Sequence, residues 1–279
     1  MENIQEIKTR VIDYVRDYVE GAHSKGVVLG MSGGKDSLIV AKICTEALGS
    51  DKVYGIIMPN GAQKDLSDAI RQCEYLGIRY KIVNIEKMYN ATVELTKEAL
   101  GTDELSPVTT LNIAPRIRMS MLYSAAGTLG YLVANTSNLS EKILGYSTKY
   151  GDSAGDFAPI GDLTKSEVCE LGIALGLPEQ DVNKKPADGL TGKTDEEVIG
   201  VPYEEVDEMA RHGTATPNHE KILRMFMASA HKRNKISTFN SGKKNFFAEF
   251  EENYAKAQQQ DVAENGMQWL TTVKNKKKK

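Results

Sequence analysis

Six consecutive residues carry most of the chemical information in this chain: Ser32, Gly33, Gly34, Lys35, Asp36 and Ser37, within GMSGGKDS (30–37). An apolar VVL run precedes them and LIVAKICTEAL follows, so the segment reads as a turn from a buried strand into a helix. Two glycines let the backbone turn sharply and approach an anion closely. The first N–H groups of the following helix have no intrahelical acceptor, and the helix dipole favours negative charge there. The two hydroxyls add donors, which makes the segment a phosphate cradle. Asp36 would repel a bare phosphate, and its presence fits a Mg²⁺ ion lying between them, because Mg²⁺ binds through one or two carboxylates plus phosphates. A glycine-rich turn capped by Ser and Asp is the plainer reading of the same string.

Two familiar nucleotide loops are excluded. The Walker pattern G-x-x-x-x-G-K-[ST] fails because Asp36 follows Lys35 and Leu29 occupies the first glycine position. The dinucleotide pattern G-x-G-x-x-G fails because Ser32 stands at its second glycine.

The surrounding elements are those that could present such a turn. Ile4, Ile7, Val11, Val15, Tyr18 and Ala22 recur at helical spacing, which predicts an amphipathic first helix. KGVVLGM, KVYGIIMP, YKIVNI and YLVANT read as strands. They alternate with helices over DSLIVAKICTEALG, DLSDAIRQCEYLG, about 89–100 and about 112–129. Short apolar strands alternating with helices predict a parallel sheet covered on both faces, with ligands at the strands' carboxyl ends. GMSGGKDS, IIMPNG and ANTSN lie at those ends. Residues 144–161 read as loop, Thr164 with Glu167 as a capping box, and KKPADGLTGKTDEE as a second polar loop. Further helices are expected over VPYEEVDEMARHG and NHEKILRMFMASAHKR. The lysine-rich end, KNKKKK, reads as a solvated tail.

The chain has 279 residues, with 35 basic and 38 acidic side chains and a net charge of −3. That balance argues against nucleic acid and membrane surfaces as partners. The three cysteines, Cys44, Cys73 and Cys169, form no CxxC pair and read as reduced thiols, which with a charged amphipathic start predicts a cytoplasmic protein.

Four further segments resemble NAD synthetase, a family of PP-loop, or N-type ATP pyrophosphatase, enzymes: NIAPRIRM (112–119), NTSNLSEKILGYSTKYGDSAGDFAPIGDLTKSEV (135–168), KKPADGLTGKTDEEVIGVPYEEVD (184–207) and HKR (231–233). The likeness runs in order from Ile4 to Arg233. It implies a Rossmann-like three-layer α/β/α fold, adenine nucleotide alpha hydrolase-like, as a single domain over 1–279. Within it, 1–25 would be an N-terminal helix, 26–240 the catalytic core and 241–279 a weakly assigned C-terminal segment.

The resemblance implies a carbon–nitrogen ligase that adenylates the nicotinate carboxylate of deamido-NAD with ATP, releases pyrophosphate and displaces AMP with ammonia. It implies ATP contacts at Gly30, Met31, Ser32, Gly33, Gly34, Lys35, Asp36, Ser37, Thr136, Lys165 and Ala187. Asp36 and Glu141 would hold Mg²⁺, and Asp36, Glu141 and Lys165 would form the catalytic set. Deamido-NAD would be met by Arg116, Lys149, Asp156, His231 and Lys232.

Taken singly, each of these charged residues also reads as an ordinary solvated or turn residue. Three departures stand out. Lys35 replaces an uncharged family residue and would add a phosphate contact. NTSN replaces a glycine-threonine-aspartate-histidine string, which leaves the family's ATP ribose or metal contacts near Ser137 and Asn138 open. Ala187 lacks the hydroxyl of many relatives. The short stretch before the first strand leaves no room for a fused glutaminase, so the expected nitrogen donor is free ammonia or ammonia delivered by a separate protein. A homodimer is expected, with Met119, Met121, Leu122 and Tyr123 as one contact. The competing readings are a tRNA-modifying PP-loop ligase and a non-catalytic adenine-nucleotide-binding module.

Overall fold

A computed structural model describes residues 3–62, 65–184 and 194–239. Ala187 and the segment 241–279 therefore lie outside the described residues. Residues up to Asn234 form one unit, which carries the sheet and the site; only 235–239 of the remainder are described.

The helix α1 (Ile4–Gly21) leads into β1 (Val27–Gly30), α2 (Lys35–Leu48), β2 (Val53–Ile57), α3 (Leu66–Leu76), β3 (Arg79–Ile82), α4 (Glu86–Leu100), α5 (Pro107–Leu129) and β4 (Leu132–Val133). A helical half follows: α6 (Leu139–Leu144), α7 (Lys165–Ala174), α8 (Glu179–Val182), α9 (Asp195–Ile199), α10 (Tyr203–His212), α11 (His219–Ala228) and α12 (Ala230–Arg233).

The four strands form one parallel sheet in the order β3-β2-β1-β4. Val27 pairs with Val53 on one side and Leu132 on the other, and Tyr54 pairs with Arg79. The chain thus steps outward from β1 to β3 and then returns to the far side of β1. The order reverses between β1 and β4, where the loops leaving the two strands diverge and open a crevice.

Helices cover both faces. Val11, Val15 and Val19 of α1 pack with Leu38, Ile39 and Ile43 of α2, Cys73 of α3 and Leu171 of α7 against Val27 and Leu29 of β1. Burying each such aliphatic side chain contributes about 1.5–3 kcal/mol. On the other face Val28, Ile56 and Val133 meet Ile113, Ile117 and Ala126 of α5. A separate cluster of Leu144, Ile199, Val201, Tyr203, Val206 and Ile222 joins α6, α9, α10 and α11. The three-layer α/β/α arrangement is the one the sequence pattern predicts.

Three details differ from expectation. The buried stripe of α1 uses Val19, while Tyr18 is half-exposed and donates its hydroxyl to the Asp156 carbonyl at 2.7 Å. β3 is an edge strand with Arg79, Lys81 and Ile82 exposed, and charged residues there discourage edge pairing. α5 starts at Pro107, five residues before 112, because Ser106 caps it and Pro107 occupies the first turn. Met121, Leu122 and Tyr123, expected at a contact between subunits, are partly buried and also pack against the second core cluster of their own subunit.

Candidate active site

The loop after β1 is held from several sides. Gly33 has φ +81°, and a Cβ there would sit 2.5 Å from the Asp65 carbonyl oxygen, so only glycine fits. Ser37 Oγ donates to the Gly34 carbonyl at 3.0 Å and lies 3.1 Å from Ser32 Oγ, which accepts from Gly34 N–H at 3.2 Å. Buried Gln72 on α3 donates to the Gly33 carbonyl at 3.2 Å. Gly34 caps α2 without a side-chain bond, which leaves the first-turn N–H groups available to an anion.

Three charged side chains from three elements converge on the start of α2. Lys165 Nζ lies 2.8 Å from Asp36 Oδ2 and 3.2 Å from Glu141 Oε1, and its side chain is only 7 % exposed. Asn138 Nδ2 also donates to Asp36 Oδ2 at 3.3 Å. Asn138 additionally caps α6, and Glu141 closes the reciprocal capping box, so α6 delivers Glu141 in a fixed orientation. Burial pushes the Glu141 carboxyl up, as does the neighbouring Asp36 charge, while Lys165 opposes both. Burial alone would lower the Lys165 ammonium; Asp36 and Glu141 overcome it and raise it, so Lys165 stays charged.

The donor set fits Mg²⁺. Asp36 Oδ1 is buried and has no hydrogen-bond partner, an arrangement that is unfavourable for a carboxylate oxygen unless a cation or donor meets it. Among the described residues no cluster of three or more His, Cys, Asp or Glu side chains could hold a metal. Two carboxylates, with phosphate oxygens and water completing the shell, match the way Mg²⁺ is bound in phosphate sites.

A cavity of about 1020 Å³ opens beside the loop at the β1/β4 switch point. Gly30, Met31 and Ser32 line it from β1 and its loop, Thr136 from the β4 loop, and Lys232 from α12. Its floor is apolar, from Ile56, Met58, Leu66 and Ala69. Lys232 is fixed by donating to the Gly145 and Ser147 carbonyls, both at 2.7 Å.

Other expected residues lie elsewhere. Lys35 turns its ammonium to Cys169 Sγ at 3.2 Å, while Lys165 meets the carboxylate of Asp36. Arg116 is exposed and donates to the Lys149 carbonyl at 3.3 Å; Lys149 stacks its ammonium 5.1 Å over the Tyr150 ring. Asp156 spends its carboxylate on Val133 N–H at 2.8 Å, with Tyr123 Oη at 3.4 Å, which anchors the 145–161 loop to β4. His231 is exposed, outside the cavity lining.

The structure adds residues that spacing did not single out. Arg118, two positions from Arg116 and on the opposite side of α5, lines the cavity and donates to the Met58 carbonyl at 3.0 Å. Asp152 lines it as well. Lys184 donates to Asp65 at 2.6 Å and Asp68 at 2.7 Å, and reaches the Gly33 carbonyl at 3.4 Å. The sequence does not separate the two arginines: Ile113 and Ile117 mark the buried side of α5, yet Arg116, three residues from Ile113, lies no farther from that stripe than Arg118. The Lys184 contacts carry no local sequence signal. Burial pushes the Cys44 and Cys73 thiols up to about 12, which leaves them unreactive.

A glycine loop at the switch point of a parallel sheet, without a Walker lysine and with an acid at the helix start, marks the class: a PP-loop domain of the adenine nucleotide alpha hydrolase-like fold. The family model for NAD synthase matches residues 7–247. An NH(3)-dependent NAD(+) synthetase from Archaeoglobus fulgidus is 42% identical over 240 residues, covering 83% of this chain and 95% of its own. The structure of an NMN synthetase from Francisella tularensis aligns with a TM-score of 0.79 at 31% identity, over 86% of this chain and all of its own. An NH3-dependent NAD synthetase from Campylobacter jejuni, in complex with a nitrate ion, aligns with a TM-score of 0.70 at 33% identity, over 86% and 100%. The chain belongs to the NAD synthase family.

Proposed function

We propose that this chain catalyses the ATP-dependent amidation of deamido-NAD to NAD with ammonia as nitrogen donor. The convergence of Asp36, Glu141 and Lys165 at the first turn of α2, with a cavity of about 1020 Å³ opening beside the same loop, carries this reading. A nicotinate carboxylate oxygen attacks the α-phosphorus of ATP, the α–β bridging bond breaks and pyrophosphate leaves. Ammonia then attacks the acyl carbon of the mixed anhydride, loses a proton and expels AMP.

Ser32, Ser37 and the open N–H groups of α2 hold the β- and γ-phosphates, and the Lys165 charge stabilises the departing pyrophosphate. Asp36 and Glu141 would hold Mg²⁺, which supplies Lewis-acid neutralisation of that leaving group. Thr136 and the apolar floor receive the adenosine. Lys232 and Arg118 set the cationic side of the cavity for the acidic substrate, and Arg116 with Lys149 forms a second basic patch outside it. The enzyme forms no covalent intermediate of its own, so positioning and charge account for the rate. We also infer a cytoplasmic homodimer; among the described residues no helix is long and apolar enough to cross a membrane.

The test is pyrophosphate release from Mg-ATP and ammonium with deamido-NAD, without it, and with tRNA in its place. Release that tracks deamido-NAD and yields NAD supports the reading. Release indifferent to deamido-NAD ends it, release requiring tRNA supports the tRNA-modifying alternative, and no release supports a binding module. The likeness to an NMN synthetase adds one arm: nicotinate mononucleotide, the acid corresponding to that product, is offered in competition.

A further inference from the structure

Lys165 reaches Asp36 from a helix start that is itself pinned from outside the cavity. Tyr203 and Asp207 stand four residues apart on α10 and share one face of it. Both are buried, at 4 % and 8 % exposure. The Lys165 ammonium lies 5.2 Å from the centre of the Tyr203 ring, a cation–π distance. Asp207 Oδ2 accepts from Ser166 N–H at 2.9 Å and from Ser166 Oγ at 2.7 Å, and Oδ1 accepts from Ser140 Oγ. Ser140 Oγ in turn accepts from Lys165 N–H at 2.9 Å. One carboxylate therefore ties together the first turns of α6 and α7, immediately beside Glu141 and Lys165. Those helix starts carry partial positive charge, which a buried carboxylate offsets.

We propose that α10 is the positioning element of the reaction centre. The Tyr203 ring aims the Lys165 ammonium at the phosphate site, and Asp207 locks the two turns that hold Lys165 and Glu141 at their mutual distance. Neither residue touches substrate. The Tyr203 hydroxyl is buried without a hydrogen-bond partner, so the ring face alone carries its role. Tyr203 also packs in the third core cluster, while its ring face meets the ammonium that bridges Asp36 and Glu141. The inference rests on the reading of Lys165 as a phosphate-stabilising group.

The experiment uses the full chain, with Tyr203→Leu, Tyr203→Phe and Asp207→Asn. Each is assayed well below its unfolding midpoint for kcat, for KM of deamido-NAD, and for pyrophosphate affinity in MgCl₂ by calorimetry. Tyr203→Leu is expected to lower kcat and pyrophosphate affinity by roughly tenfold, and to leave KM for deamido-NAD within about twofold. Tyr203→Phe is expected to restore both, and Asp207→Asn to weaken pyrophosphate binding. Should Asp207→Asn fail to fold, Ser166→Ala removes one of its three donors and is read in its place. The proposal is overturned when folded Tyr203→Leu keeps wild-type kcat and pyrophosphate affinity, or when Tyr203→Phe is no better than Tyr203→Leu. A wild-type chain that makes no NAD overturns the functional reading instead, while the pyrophosphate titration still decides the role of α10.

Discussion

The Lys165 ammonium lies 2.8 Å from Asp36 Oδ2, across a sequence separation of 129 residues. The first helix of the PP-loop and the start of a helix in the second half of the chain are thereby joined through charge at the point where phosphate would sit. The consequences can be measured.

Asp36→Ala should reduce NAD formation by about 10²-fold or more, the order seen when a preorganised charge-stabilising group is lost. Lys165 keeps Glu141 as a partner at 3.2 Å in that variant, so the thermal midpoint should stay within about 3 °C of wild type. Near-normal turnover, measured by NAD formation, would refute the assignment of Asp36.

Chelating divalent cations should stop NAD formation, and excess Mg²⁺ should restore it. Glu141→Gln should raise the Mg²⁺ concentration needed for half-maximal rate, because one of two anionic ligands becomes neutral. A Mg²⁺ titration unchanged from wild type would remove Glu141 from the metal site.

Gly33→Ala should destabilise the protein by about 1–2 kcal/mol, since the residue would be forced to hold a left-handed backbone. Its Cβ would also push against the Asp65 carbonyl, 2.5 Å away, and displace the loop. Thermal unfolding and the KM for ATP should both worsen; an unchanged KM would mean that the loop does not cradle the triphosphate.

Asp68 links pH to stability. The hydrogen bond from Lys184, then that from Arg71, holds its carboxyl below the ordinary value of 3.8. A depressed folded pKa contributes stability that is present above the unfolded pKa and is lost as pH falls through the folded one. In urea unfolding, the gap between wild type and Asp68→Asn should be full at pH 6 and should shrink below about pH 4. A gap that is constant or widens on acidification would contradict the ion pairs.

The PP-loop, the alternation of strands and helices, and the capping box at Thr164 are legible in the sequence because each depends on residues within a few positions of one another. Glu141 was legible as a helix-start acid for the same reason. The interior choices were not. Arg116 and Arg118 look equivalent in a list of residues, yet α5 turns one to solvent and the other into the cavity. Asp156 carries a carboxylate at a family position, yet the unpaired N–H of Val133 at the end of the sheet claims it.

By itself the sequence determined the chemistry: an anion-binding turn, an acid suited to a hard cation beside it, and a parallel α/β scaffold to hold them. The resemblance named both Lys35 and Lys165 beside that acid, and the tertiary structure decided which of the two ammoniums meets it. Lys35 is adjacent in sequence but points to Cys169, while Lys165 arrives from α7 with the Tyr203 ring beneath it. The reason is physical. Local spacing sets helix and turn geometry through the backbone, whereas a buried ion pair forms only where packing removes water from both partners and leaves no other way to satisfy them.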